Sequence, residues 1–173
     1  MPKIIENVRA QLLEEAQRQI VENGYANTTI RSVAKACGLG VGTVYNYFPS
    51  KDMLIAYFMA EDWNQCLEQM ERMDSKDSEV VLRNIYDNLR NFMKKYDALF
   101  RDSDATKVYT SVFSVRHKQL RSQLAMYLRP SCEEVSVKDK EFLAEWIAES
   151  LLTWTVSGKT FEEQYEIIKQ FIK

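Results

Sequence analysis

The apolar positions of this chain recur at helical spacing almost from end to end. Ile5, Val8, Leu12, Ala16 and Ile20 share one side of a 3.6-residue repeat and predict an amphipathic first helix. It should end at Asn23-Gly24, where glycine can turn left-handed. Thr28 and Thr29 offer a capping hydroxyl for a short second helix whose inner face is Ile30, Val33, Ala34 and Cys37. Gly38-Leu39-Gly40 predicts a turn with Leu39 tucked inward, and a third helix follows from Val41 to Tyr47. Pro49-Ser50 stops that helix and caps a long fourth one, from Lys51 to about Met73. A polar break over 74–78 leads to a fifth helix carrying Leu82, Ile85, Leu89, Phe92 and Tyr96 on one face. A short sixth helix fits near Ala98 to Arg101, and a seventh runs from Ala105 to Leu128, closed by Pro130. An eighth spans Lys138 to Ser157 and stops at Gly158, and Thr160 with Glu163 forms a capping box for the last. No alternating strand pattern exceeds a few residues. The expected fold class is all-α, with about nine helices.

The segment 28–51, TTIRSVAKACGLGVGTVYNYFPSK, places two short helices around a tight turn, the layout of a helix-turn-helix. A helix that reads the major groove needs an outer face that can approach base edges and hydrogen-bond to them. Gly40 and Gly42 allow close backbone approach, and Thr43 can bond a base or set its methyl against thymine. Tyr45 can stack or donate its hydroxyl proton, while Asn46 and Tyr47 face the flanking backbone. Val44 and Phe48 point inward. Arg31 can reach phosphate or a base edge, and Lys51 supplies charge at a helix start. The same geometry also occurs in helical proteins with no DNA role. Two glycines at the start of so short a helix are poor helix formers, which suggests a use other than local stability.

The first 55 residues resemble the DNA-binding domain of the TetR/AcrR family of bacterial transcriptional regulators, through the GYANTTIRSVAKACGLGVGTVYNYF run and the trailing PSKDML. The resemblance implies a domain at 1–50, first helix included, and a helical ligand-sensing and dimerisation domain at 51–173. It implies a homodimer on a palindromic double-stranded DNA operator, with Thr29, Arg31, Gly42, Thr43, Tyr45, Tyr47 and Lys51 as contacts. Val41 stands where many relatives carry a polar or basic side chain. It further implies that the last two helices of each subunit pair in a four-helix bundle. Ala144, Ala148, Leu151, Leu152, Thr155, Phe161, Tyr165 and Ile168 are the residues this would place at the dimer interface.

Phe92, Met93, Tyr96, Tyr109, Phe113, His117 and Trp154 could line a pocket for a small apolar or aromatic effector, although aromatic and Met residues at helical spacing also pack ordinary cores. His117 falls in line with Phe113, Leu120 and Leu124, a position that equally suits a hydrogen-bonded core histidine. The basic run Arg116, Lys118, Arg121 and Arg129 reads as a solvated helix face.

Charge modifies this picture little. The net charge is −2, and residues 1–51 carry six basic against four acidic side chains, so the DNA reading rests on the motif and not on charge. Three unpaired cysteines and one histidine suggest reduced thiols and no metal site. Neither a nucleophile elbow nor a phosphate loop is present; no catalytic residues and no cofactor are expected, and an enzyme is disfavoured. Without a signal peptide or membrane span, a cytoplasmic location is expected. The function expected is a ligand-responsive transcriptional regulator, a repressor released by its effector. The competing reading is a helical dimeric protein-interaction module without sequence-specific DNA binding.

Overall fold

The computed structural model of the protein describes residues 7–73 and 75–172, with the side chains of 107–116 outside that description. The described residues are helical, as the periodicity requires: α1 (Val8–Asn27), α2 (Ile30–Ala36), α3 (Val41–Tyr47), α4 (Lys51–Glu71), α5 (Ser78–Lys95), α6 (Asp97–Arg101), α7 (Ser103–Leu128), α8 (Lys140–Val156) and α9 (Phe161–Ile168). A single 3₁₀ turn, Pro130–Cys132, links α7 to α8.

The ends of these helices follow from particular residues. Gly24, at φ 78, breaks the helical path of α1. Thr29 caps α2 through a reciprocal pair with Ser32, each backbone N–H donating to the other's hydroxyl at 3.0 Å. Past α2, Gly38 is left-handed at φ 68, and the Leu39 N–H returns to the Ala34 carbonyl at 2.9 Å. Together with the bond from the Gly38 N–H to Lys35, this closes a Schellman turn. A side chain at Gly38 would meet no atom within 4 Å, so its difficulty is purely one of backbone conformation. Gly38→Ala is therefore expected to lower stability by about 1–2 kcal/mol, measurable by urea unfolding. Ser50 accepts from the Met53 N–H at 3.1 Å to open α4, and Thr160 with Glu163 forms the capping box of α9.

The chain divides into two compact units. One takes in the chain up to Asn64 together with Tyr96–Tyr109; the other comprises Gln65–Lys95 and Thr110–Lys173. The division expected at 50/51 therefore falls inside the first unit. The reason is the length of α4, whose Leu54, Ile55 and Phe58 are buried in the same core as Leu12, Ala16 and Ile20 of α1. Tyr96 belongs to this first core as well. Its ring stacks with Phe58 at 5.9 Å, and its hydroxyl donates to Asp62 at 2.5 Å. Gln17 donates to both, at 2.9 Å to Asp62 and 2.6 Å to Tyr96. A buried phenol needs such a partner, since an unpaired one is costly.

The second unit centres on Leu82, Ile85 and Leu89 of α5, Leu124 and Leu128 of α7, and Ile147, Ala148 and Leu151 of α8. Phe161 of α9 completes it, edge-on to Tyr86 at 5.7 Å and beneath the Arg83 guanidinium at 4.0 Å.

Candidate nucleic-acid interface

α3 is seven residues long and asymmetric. Val44 and the following Phe48 are fully buried, and they fix which side of the helix is covered. The opposite side presents Gly42, Tyr45, Asn46 and Tyr47, all exposed, with Thr43 half-buried beside them. Tyr45 and Tyr47 keep 51% and 45% of their surface in solvent, so that ring and hydroxyl are open on this side. α2 lies against α3 and α1 with Ile30, Val33 and Ala34 buried, and Arg31 projects from its exposed side.

Gly42 is informative. It lies inside a helix, is exposed, and an added Cβ would meet nothing within 4 Å. The protein's own packing does not require glycine there, and glycine costs a helix up to about 1 kcal/mol relative to alanine.

Two of the expected contacts have partners within the chain. Thr29 is committed to the α2 cap. Lys51 is half-buried, its Nζ 2.9 Å from the Tyr25 carbonyl and 3.5 Å from the centre of the Tyr25 ring. Arg31, Gly42, Thr43, Tyr45 and Tyr47 remain on the outer side of the helix pair. Sequence reasoning missed the bonds that brace this pair on α1: the Ser32 hydroxyl donates to Gln19 at 2.6 Å, and Gln19 in turn donates to Glu15 at 2.7 Å. The Arg18 guanidinium beside Glu15 holds that carboxyl below its ordinary range. Gln19 falls seven residues after Leu12 and three after Ala16, on the covered side of α1, where its polar amide and not its position hid its burial.

Residues 12–58 match the family model for bacterial regulatory proteins of the tetR family. The head of this chain is thus similar to the regulators of that family over those residues. The head is 34% identical over 61 residues to the fatty acid metabolism regulator protein of Bacillus subtilis, covering 35% of this chain and 31% of that protein. A longer match, 28% identical over 106 residues, joins 61% of the chain to 47% of the transcriptional repressor KstR of Rhodococcus jostii. The chain thus spans about a third of the length of the first of these relatives and under half of the second. Over nearly the whole chain the fold is that of a transcriptional regulator from Cytophaga hutchinsonii (TM-score 0.70, 18% identity, 95% of this chain and 92% of that one). It is also that of Thermus thermophilus FadR solved with lauroyl-CoA (TM-score 0.63, 20% identity, 94% and 91%).

The described members of the expected effector set are divided between the two units, Tyr96 in the first and Phe92, Met93, His117 and Trp154 in the second. Tyr96 is sealed in the first unit by Asp62 and Gln17. Trp154 is half exposed on α8, and Phe92 and Met93 are half-buried on α5. His117 is paired through Nε2 with both carboxylate oxygens of Glu149, at 2.9 and 3.0 Å. The side chains of Tyr109 and Phe113 lie outside the described residues.

Most of the expected dimer contacts are accounted for within the chain. Ala144, Ala148, Leu151, Leu152, Thr155, Phe161 and Ile168 are buried in the second unit's own core, and Tyr165 stacks on Phe161 at 5.3 Å. Side chains already covered have almost no area left to bury against a partner. The apolar surface left open on α8 and the last helix is instead Phe142, Trp146, Trp154, Val156, Ile167 and Phe171. Trp146 and Phe171 meet edge-on at 5.5 Å. A cleft of about 520 Å³ runs between these helices, lined by Trp146, Ser150, Trp154, Gln164, Ile167 and Ile168 among others. Among the described residues no cluster of His, Cys, Asp or Glu could hold a metal ion, and no helix is long and apolar enough to cross a membrane.

Proposed function

We propose that this chain is a DNA-binding transcriptional regulator that pairs as a homodimer on a two-fold symmetric operator. The observation that carries the reading is the outer side of α3: an exposed glycine with no internal use, beside Thr43, Tyr45 and Tyr47, held outward by buried Val44 and Phe48. A glycine and small or planar hydrogen-bonding groups suit close contact with base edges. Arg31 supplies the charge for phosphate beside it.

Pairing places one head per half-site, which requires heads spaced to successive major grooves about 34 Å apart. The open aromatic surface of α8 and the last helix is the face we assign to that pairing, since exposed apolar clusters of this kind mark interaction sites. Regulation is assigned to a small apolar or aromatic effector that binds the DNA-competent and incompetent arrangements unequally and so relieves repression in the cytoplasm. Support for an apolar effector comes from the likeness of the head to a regulator of fatty acid metabolism and of the fold to a protein holding lauroyl-CoA.

Selection of binding sites from random duplex DNA tests the reading. A recovered palindrome bound in a salt-sensitive complex is expected; failure to enrich any sequence would favour an interaction module. Thr43→Ala and Tyr45→Ala should each weaken the recovered complex by about 1–3 kcal/mol with the protein still folded. Gly42→Ala should do the opposite to the two properties. The helix gains up to about 1 kcal/mol, while the added methyl obstructs the DNA and affinity falls.

A further inference from the structure

We infer that Lys51 acts on DNA recognition indirectly, as a clamp that fixes the helix-turn-helix on α4, and not as a hand for phosphate. The inference rests on the DNA-binding reading and reassigns one residue within it. At the first position of α4, Lys51 donates to the Tyr25 carbonyl at 2.9 Å and sets its ammonium 3.5 Å from the centre of the Tyr25 ring. The next residue, Asp52, accepts from the Tyr25 hydroxyl at 2.7 Å. Consecutive residues of α4 therefore hold the two ends of one tyrosine.

What Tyr25 carries explains why this matters to the head. Its carbonyl also accepts from the Thr28 N–H at 3.3 Å, and the buried Thr28 hydroxyl returns to the Gly24 carbonyl at 2.9 Å. Thr29, next in the chain, is the cap of α2. The start of α4 is thereby joined through Tyr25 and Thr28 to the start of α2, across the left-handed break at Gly24. α2 positions α3, so the clamp sets the angle at which the outer side of α3 is offered.

A cation seated over an aromatic ring and bonded to a carbonyl has two of its main attractions satisfied internally. Burial also pushes the Lys51 ammonium below its ordinary range, consistent with a group drawn from water.

The test compares Lys51→Met, Tyr25→Leu and the double variant, using full-length protein and the tightest duplex recovered by the wild type from random DNA. Tyr25→Leu leaves the Lys51 charge in place but removes the ring beneath it. The clamp predicts that each single variant weakens DNA binding by roughly tenfold at a temperature where it is fully folded, with the slope of log affinity against log salt unchanged. It further predicts that the second substitution adds little to the first. A phosphate contact predicts a slope reduced by about one per head for Lys51→Met and near-normal binding for Tyr25→Leu; that result overturns the inference. A lowered melting temperature with unchanged affinity also overturns it, because the pair would then be stabilising only. If no duplex is recovered from the library, the DNA reading fails separately. The same three proteins then test the contact itself by urea unfolding: coupling of at least about threefold in the unfolding constant shows that Lys51 and Tyr25 hold one another, and strict additivity removes the clamp.

Discussion

Truncating Phe48 to alanine is expected to lower the unfolding free energy by about 3–5 kcal/mol, the largest loss anticipated for any single truncation in the head. Phe48 has no exposed surface and closes α3, its N–H donating to the Val44 carbonyl at 2.9 Å. Its ring meets Tyr57 of α4 edge-on at 5.6 Å, and the Arg9 guanidinium lies 5.9 Å from its centre and 5.0 Å from that of Tyr57. Arg9 is held there by Glu61 at 2.7 Å. Alanine would open a cavity where α1, α3 and α4 meet, and a ring pinned on several sides leaves the walls little freedom to collapse into it. Whole domains are stable by about 5–15 kcal/mol, so such a loss would leave α3 poorly held even where the chain stays compact. Urea unfolding followed by helical signal checks the magnitude. Tyr47→Ala, one residue earlier and exposed, serves as the control and should change stability by no more than about 0.5 kcal/mol. A Phe48→Ala loss below about 1 kcal/mol would mean that this ring does not anchor the helix.

Helix ends and the faces of single amphipathic helices were legible because their causes are local. The caps at Thr29, Ser50 and Thr160 and the turn at Gly38 depend on residues within three or four positions. The inward direction of Val44 and Phe48 follows from the repeat within α3 and its continuation. What escaped reading depends on partners far along the chain. Lys51 meets the carbonyl of Tyr25, 26 positions away, and residue type alone does not announce that contact. Tyr96 has the composition of a pocket residue, yet its hydroxyl meets Asp62 and Gln17, 34 and 79 positions away. α8 posed a different difficulty. It is apolar on two sides, and hydropathy cannot say which faces the chain's own core. Leu143, Ile147 and Leu151 are covered together with Ala144, Ala148 and Leu152, and α8 lies against α5 and α9, where the small side chains permit close approach. The bulky aromatic side was left open.

That open side carries the second large expected effect. Trp146→Glu combined with Ile167→Glu should convert the dimer we propose into folded monomers and lower operator affinity by at least about 100-fold. Both side chains are exposed in the single chain, at 39% and 56%, so the substitutions should cost the subunit itself little. In a two-fold interface each change enters twice, which would set four carboxylates in or near one apolar contact. Burying unpaired charge is prohibitive on the scale of an interface, and the surfaces should separate instead. The loss of DNA affinity follows from losing the second head: once one head is seated, its tethered partner binds at a high effective concentration, and a monomer has no such advantage. A buried position cannot make this distinction. Ala148→Glu would place a charge in the subunit's own core and unfold it, whatever α8 does in a dimer. Sedimentation at micromolar concentration, with helical content as a check on folding, reads the first effect, and titration of the selected duplex reads the second. A double variant that still sediments as a dimer would move the pairing surface away from α8 and the last helix. A folded monomer binding the palindrome as tightly as the wild type would instead show that the heads act independently, and the requirement for a two-fold operator would fall with it.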